Sequence, residues 1–323
     1  MALTREEAQR NAAIMSRICD NIEIVMLGKR QVVELTVMAL ICGGHILLED
    51  VPGVGKTTLV SALAKSIRCG FNRIQFTPDI MPSDVTGFSI FNQKTREFEF
   101  RPGAIMSNLV LADEINRASA KTQSSLLEAM EERHVTVDSK TYRLKEPFMV
   151  MATQNPLESY GTYPLPEAQI DRFLIKMAIG YPDFIEEVKM IHLGDRGKKA
   201  IRPVVTGDDV LRLRSDAENV FVSVPMEKYI VEIVKATRNS ADLSLGSSPR
   251  GSISLMRMCR VYAMYQGREY VLPDDVRYLA PFILAHRITR NHDAKAAGRT
   301  PEMIIDQILG SIAVPVGEYT LGD

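Results

Sequence analysis

No stretch of the 323 residues approaches the roughly 18 consecutive apolar residues that a membrane-spanning helix needs. The N-terminus, MALTREEAQRN, is charged and lacks the apolar centre of a secretion signal. Cysteines are few: Cys19, Cys42, Cys69 and Cys259 are scattered with no C-x-x-C pair, which excludes a disulfide framework and fits reduced thiols. The five histidines (His45, His134, His192, His286, His292) show no H-E-x-x-H or similar ligand spacing, so structural zinc is not expected. Neither sign of charge is in excess, with 39 Lys and Arg against 40 Asp and Glu. A nucleic-acid partner therefore has no support from bulk charge, although a local groove can still be basic. Internal repeats and low-complexity tracts are also missing. Together these absences leave a soluble, cytoplasmic globular protein as the expectation.

What is present is a large apolar fraction, 46%, enough to build the cores of two domains in a chain of this length. The organising stretch is His45–Leu59, HILLEDVPGVGKTTL. Three apolar residues, Ile46 to Leu48, lead into a glycine loop, and apolar residues at helical spacing follow. Strand, loop and helix in that order make a phosphate cradle. Gly53 and Gly55 let backbone N–H groups turn inward around an anion, and the next helix presents its positive end. Pro52, Gly53, Val54, Gly55, Lys56, Thr57 and Thr58 are the candidate phosphate ligands, with Lys56 on the outer phosphates and the Thr57 hydroxyl on Mg²⁺. The general pattern G-x-x-x-x-G-K-[ST] asks for glycine where this chain has Asp50.

Around this loop the periodicity predicts an α/β domain over 1–182 and a helical domain over 183–323. Residues 4–42 read as two helices, opened by a Thr4–Glu7 capping box and interrupted at Leu27-Gly28-Lys29-Arg30. Gly28 is either a plain turn or a turn lying against a bound adenine. Strands are expected at 73–76, 109–112, 148–155 and 174–179, alternating with helices as in a parallel sheet whose strand ends hold ligand. Two hairpins interrupt the alternation, one within 78–108 and one at 135–144. From 183 onward helices dominate, at 183–193, 207–218, 225–240, 249–266, 273–290 and 300–312. Strand-like alternation there is confined to 201–205.

Asp113-Glu114 ends the apolar run Leu109–Ala112. Such a pair suits ATP hydrolysis, the first carboxylate holding Mg²⁺ and the second polarising the attacking water; otherwise it is two solvated acids at a strand end. Asn155 ends the next buried run, where a neutral amide can orient a water, or simply form a turn before Pro156. Arg172 and Arg250 offer guanidinium forks for phosphate oxygens; Asp171-Arg172 reads equally as a surface ion pair.

The ordered set Gly28-Lys29, Leu48–Thr57, Leu111–Arg117 (LADEINR), Ala152–Pro156 (ATQNP), Pro166–Phe173 (PEAQIDRF) and Ser248–Arg250 resembles the MoxR family of AAA+ ATPases over nearly the whole chain. The resemblance implies an AAA+ P-loop core, hairpin inserts and a C-terminal helical lid with a hinge near Tyr181-Pro182. It implies ATP and ADP with Mg²⁺ as ligands. Lys56 and Thr57 then belong to Walker A, Asp113 and Glu114 to Walker B and Asn155 to sensor 1. Arg172 becomes the arginine finger, with Arg117 a rival, and Arg250 the sensor 2 arginine. It further implies a homo-oligomeric ring, commonly hexameric. A separate protein with a von Willebrand factor A domain, and a client complex matured or loaded with metal or cofactor, would be its partners. Two other classes stay open, a nucleic-acid motor and a nucleotide switch with negligible turnover. In the first insert Lys94, Arg96 and Arg101 mix with Glu97 and Glu99, which makes that hairpin an indifferent nucleic-acid surface.

Overall fold

A computed structural model describes residues 2–155, 162–193 and 201–315; Pro156 lies outside this set. The chain opens as the capping box dictates. Thr4 N–H and hydroxyl both donate to Glu7 Oε2 at 2.9 Å and start helix α1, Arg5–Glu23. Helix α2 follows at Arg30–Ile41 and stops at Gly43, whose φ of +71° only glycine adopts cheaply. Strand β1 is Ile46–Glu49 and helix α3 Lys56–Ser66. Next come β2 (Phe71–Gln75), α4 (Pro82–Thr86), β3 (Gly87–Asn92), β4 (Glu97–Pro102) and β5 (Leu109–Asp113). Then follow α5 (Ala120–Glu132), β6 (His134–Val137), β7 (Lys140–Arg143), β8 (Met149–Gln154), α6 (Glu167–Ile170), β9 (Ile175–Met177) and α7 (Phe184–Leu193).

The chain divides into two compact units. One comprises Ile18–Arg172 and Met177–Leu211, and the other Met1–Arg17, Phe173–Lys176 and Arg212–Asp323.

The main sheet has the order β2-β5-β8-β1-β9. Its central strands β1, β5 and β8 are apolar and buried along nearly their whole length, as parallel strands covered on both faces must be. Register decides what the strands present. Leu48 pairs with Thr153, Ala112 with Ala152 and Gln75 with Asp113, so β1, β2, β5 and β8 run out along one edge. His45 serves this core, not a metal: its Nδ1 accepts the Val150 N–H at 2.9 Å, and its Nε2 lies 3.2 Å from Met130 O in α5.

The two hairpins are β3–β4 and β6–β7. Gly87 is obligatory where the first begins: its φ is +101°, and a Cβ there would lie 2.5 Å from Arg101 O and 2.8 Å from Gly103 N. Phe91 and Phe98 pair across the strands with ring centroids 5.4 Å apart, and Phe88, Phe91 and Phe98 are exposed. Phe100 stacks on Tyr142 at 3.9 Å, joining one hairpin to the other.

In the second unit, helices Val224–Arg238, Pro249–Tyr265, Pro273–Leu284 and Pro301–Ser311 bury one apolar stripe each. Two sequence expectations fail, one in this unit and one in the other. The stretch 273–290 is not one helix: it breaks after Leu284 into a turn, Ala285–Arg287, and a strand, Thr289–Arg290, which pairs with Leu243–Leu245. Arg287 explains the break, because its buried guanidinium donates to Phe173 O, to Leu174 O at 3.1 Å and to Ile283 O. The alternating residues 201–205 form no strand. The Val204 and Val205 N–H groups instead donate to Ser66 O at 2.9 and 3.2 Å, satisfying a carbonyl at the end of α3. Among the described residues no helix is long and apolar enough to cross a membrane.

Candidate nucleotide site

The loop between β1 and α3 is built on two glycines in the left-handed region, Gly53 at φ +90° and Gly55 at φ +96°. A Cβ on Gly53 would meet nothing within 4 Å, so backbone conformation and not space demands glycine there. Lys56 leaves the first turn of α3 and its Nζ donates to Asp50 O at 2.8 Å across the loop. Val54 is buried beneath the loop.

Asp50, the position that departs from the P-loop pattern, faces away from this loop. Its buried carboxylate accepts the Ile179 N–H, and the Gly180 N–H at 3.2 Å. The acid thus ties the loop's entry to the segment after β9. Glycine at position 50 would leave both amides without that acceptor.

Where β5 ends, Asp113 Oδ1 accepts the Thr153 hydroxyl at 2.7 Å, and Oδ2 accepts Arg73 Nη2 at 2.6 Å and Nε at 3.2 Å. Glu114 follows at φ +57°, a conformation that side-chain-bearing residues reach only at a cost of about 1 kcal/mol. Two bonds hold it there. The Glu114 N–H donates to Thr153 Oγ1 at 2.8 Å, and Glu114 O accepts the Arg117 N–H at 2.9 Å. Its Oε2 accepts Gln75 Nε2 and Arg117 Nη1, both at 3.0 Å. Asn155, buried, comes directly after β8.

One cavity of about 340 Å³ collects these groups: Pro52, Gly53, Gly55, Lys56, Thr57 and Thr58 from the loop and the start of α3, Asp113 and Glu114 at the end of β5, and Asn155 just after β8. Arg73 and Gln75 of β2 complete its wall. A second cavity of about 310 Å³ shares Thr57 and Thr58 and adds Val25, Ser61, Ala62, Lys65 and Ile201. The hydroxyl of Thr57 and the carboxylate of Asp113 are hard oxygen donors of the kind Mg²⁺ prefers, so the donor set fits that ion.

The other candidates lie elsewhere. Gly28 has φ +67°, and a Cβ on it would overlap the Glu186 carboxylate, while Lys29 Nζ donates to Tyr181 O at 2.7 Å. The Gly28-Lys29 turn therefore packs against residues 181–186. Arg172 pairs with Glu131 at 3.1 Å and is not part of either cavity wall. Arg117 is on Glu114 of its own chain at 3.0 Å. Arg250 is exposed in the first turn of helix Pro249–Tyr265, in the other unit, where the Ser248 side chain caps the Arg250 N–H at 3.1 Å.

Sequence reading missed Arg73, Gln75 and Thr153. Their only signal is position, since each ends up beside Asp113 and Glu114 through sheet register.

The family described as "ATPase family associated with various cellular activities (AAA)" matches residues 45–175, and "AAA lid domain" matches 235–308. The fold and the loop define an AAA-class nucleotide-binding protein. Chaperone MoxR1 of Mycobacterium tuberculosis is 41% identical over 93% of this chain and 82% of its own. The uncharacterized protein YeaC of Bacillus subtilis is 53% identical over 94% and 95%. A crystal structure from Cytophaga hutchinsonii superposes with a TM-score of 0.90, at 40% identity over 96% of this chain and 98% of that one. The chain belongs to the MoxR family of AAA+ ATPases.

Proposed function

We propose that this protein hydrolyses ATP to ADP and phosphate and works as a homo-oligomeric ring, hexameric in the active state. The observation that carries the reading is the single cavity lined by the glycine loop, Lys56, Thr57, Asp113, Glu114 and Asn155. Lys56 and the loop amides bind the phosphate oxygens, with the α3 N-terminus adding favourable potential. A bound Mg²⁺ would supply charge neutralisation between the outer phosphates. Thr57 and Asp113 are the residues that would hold it. Glu114 is the general base; Gln75 and Arg117 both bond its Oε2, and Oε1 is the oxygen we assign to the water. Asn155 orients that water without adding charge. The second cavity, beside Thr58, takes the nucleoside end.

Arg172 is proposed as the finger that meets the phosphate of a neighbouring subunit, and Arg250 as the sensor 2 arginine. Arg117 is assigned to Glu114 in its own subunit. Finger arginines contribute about a thousandfold or more to rate. Arg172→Ala should therefore bind nucleotide normally and hydrolyse it slowly, and mixing it with Glu114→Gln protein should restore turnover if the finger acts across subunits. No recovery in the mixture would place the finger elsewhere.

The work of the ring is proposed to be chaperone-like maturation of a client complex, with a separate von Willebrand factor A-domain protein as partner. The name of the mycobacterial relative supports the chaperone part. The exposed Phe88, Phe91 and Phe98 of the insert hairpin, beside Glu97, suit a polypeptide better than a phosphate backbone. The test is capture: tagged Glu114→Gln protein loaded with ATP, against a Lys56→Ala control. Recovery of a von Willebrand A-type protein or an immature enzyme supports the reading, and recovery of nucleic acid alone overturns it.

A further inference from the structure

Asp113 is held by more than its own strand. Arg73 and Gln75 stand two apart on β2 and so share one face of it. Arg73 places Nη2 and Nε on the same Asp113 oxygen, Oδ2, at 2.6 and 3.2 Å, and Nη2 also donates to Gln75 Oε1 at 2.7 Å. The other oxygen, Oδ1, is taken by the Thr153 hydroxyl at 2.7 Å. The guanidinium thus occupies the Asp113 oxygen that Thr153 leaves open. Arg73 is 47% exposed at the cavity wall, so its side chain has room to swing, whereas Asp113 is only 14% exposed.

We propose that Arg73 is a positioning residue that makes Asp113 a conditional metal ligand. Its guanidinium neutralises and orients the carboxylate in the metal-free site, and would have to give up Oδ2 wherever Asp113 helps to hold Mg²⁺. This rests on the ATPase reading above. A guanidinium keeps its proton throughout the working pH range, so the exchange is of partners and not of protons. The charged side chains lining the cavity are Lys56, Arg73, Asp113 and Glu114. Removing Arg73 leaves Lys56 alone against two acids. A metal-free triphosphate then meets net repulsion, while a metal-bound one finds Asp113 Oδ2 free of the guanidinium.

The measurement is the affinity of a fluorescent ATP analogue in excess EDTA and in excess Mg²⁺, for wild type, Arg73→Gln, Arg73→Lys and Lys56→Ala. In Arg73→Gln the metal-free affinity should fall while the Mg²⁺-bound affinity holds or rises, so the ratio of the two grows about fivefold. Arg73→Lys keeps the charge and should stay within about twofold of the wild-type ratio. A merely structural role would weaken Mg²⁺-bound binding in Arg73→Gln, and that result, or an unmoved ratio, overturns the assignment. A fivefold change in the well-folded Arg73→Lys variant overturns it as well. Equal Mg²⁺-bound affinity in wild type and Lys56→Ala would instead sink the ATPase reading itself, so the two failures are told apart.

Discussion

Thr153 shows how much of the site depends on one side chain with no reactive chemistry. Its hydroxyl accepts the Glu114 N–H and donates to Asp113 Oδ1, so one oxygen sets the position of both acids, and Thr153 is fully buried. Thr153→Val keeps the shape and removes both bonds. An unsatisfied buried amide costs about 1–3 kcal/mol, and the strained Glu114 backbone is where that cost is relieved. We expect nucleotide binding within about threefold of wild type and turnover lowered at least tenfold, read as kcat against KM. The same two-assay comparison separates the acids from the cradle: Lys56→Ala should lose nucleotide binding, and Glu114→Gln should bind and not turn over. Tight binding by the Lys56 variant would contradict the cradle. At this scale the loop motif, Asp113-Glu114 and Asn155 are legible in the sequence because each follows an apolar run. Arg73 and Thr153 are not, because neither forms a motif with the residue it serves.

Between elements, Asp50 and Gly87 are the junctions where one substitution should have a defined effect. Asp50→Ala would strip the Ile179 and Gly180 amides of their acceptor and loosen the link between the loop and the segment after β9. We expect a loss of roughly 2–3 kcal/mol in denaturant unfolding, with weakened nucleotide binding. Restored stability in Asp50→Asn, which can still accept one bond, would support the carboxylate's role as a backbone anchor. Gly87→Ala places a methyl group against the Arg101 carbonyl and should open the insert hairpin, raising its cleavage in limited proteolysis. An uncleaved hairpin in that variant would show that the strands can shift to accommodate the methyl. The hairpins themselves can be read from alternation and polar turns. Helix 273–290 cannot, because its break follows from burying Arg287 on the carbonyls of Phe173 and Leu174, more than 100 positions earlier.

For the whole molecule, His286, half-buried beside the buried Arg287, sets an acid limit on stability. Burial, and then the neighbouring Arg287 guanidinium, hold the His286 pKa well below its ordinary value of 6.5. The unfolded chain therefore takes up a proton that the folded chain refuses, so stability is unaffected well above pH 6.5 and falls as the pH drops through and below it. His286→Gln should flatten that part of the curve in thermal melts run from neutral pH downward; an unchanged slope would place the acid sensitivity elsewhere. Assembly belongs to this scale too. If the active form is a ring, specific ATPase activity should rise with protein concentration, and a flat dependence would argue for a monomeric enzyme.

The sequence by itself determined the class of this protein: an apolar strand, a two-glycine loop and Lys-Thr specify a phosphate cradle through local backbone geometry alone. It also determined the alternation of strands and helices, because burial on both faces leaves continuous apolar runs. The tertiary structure alone decided which residues surround the two acids. Parallel register aligns the ends of β1, β2, β5 and β8, and only that alignment brings Arg73, Gln75 and Thr153 to Asp113 and Glu114. It also decided what Asp50 is for, since its partners lie 129 and 130 residues further along the chain.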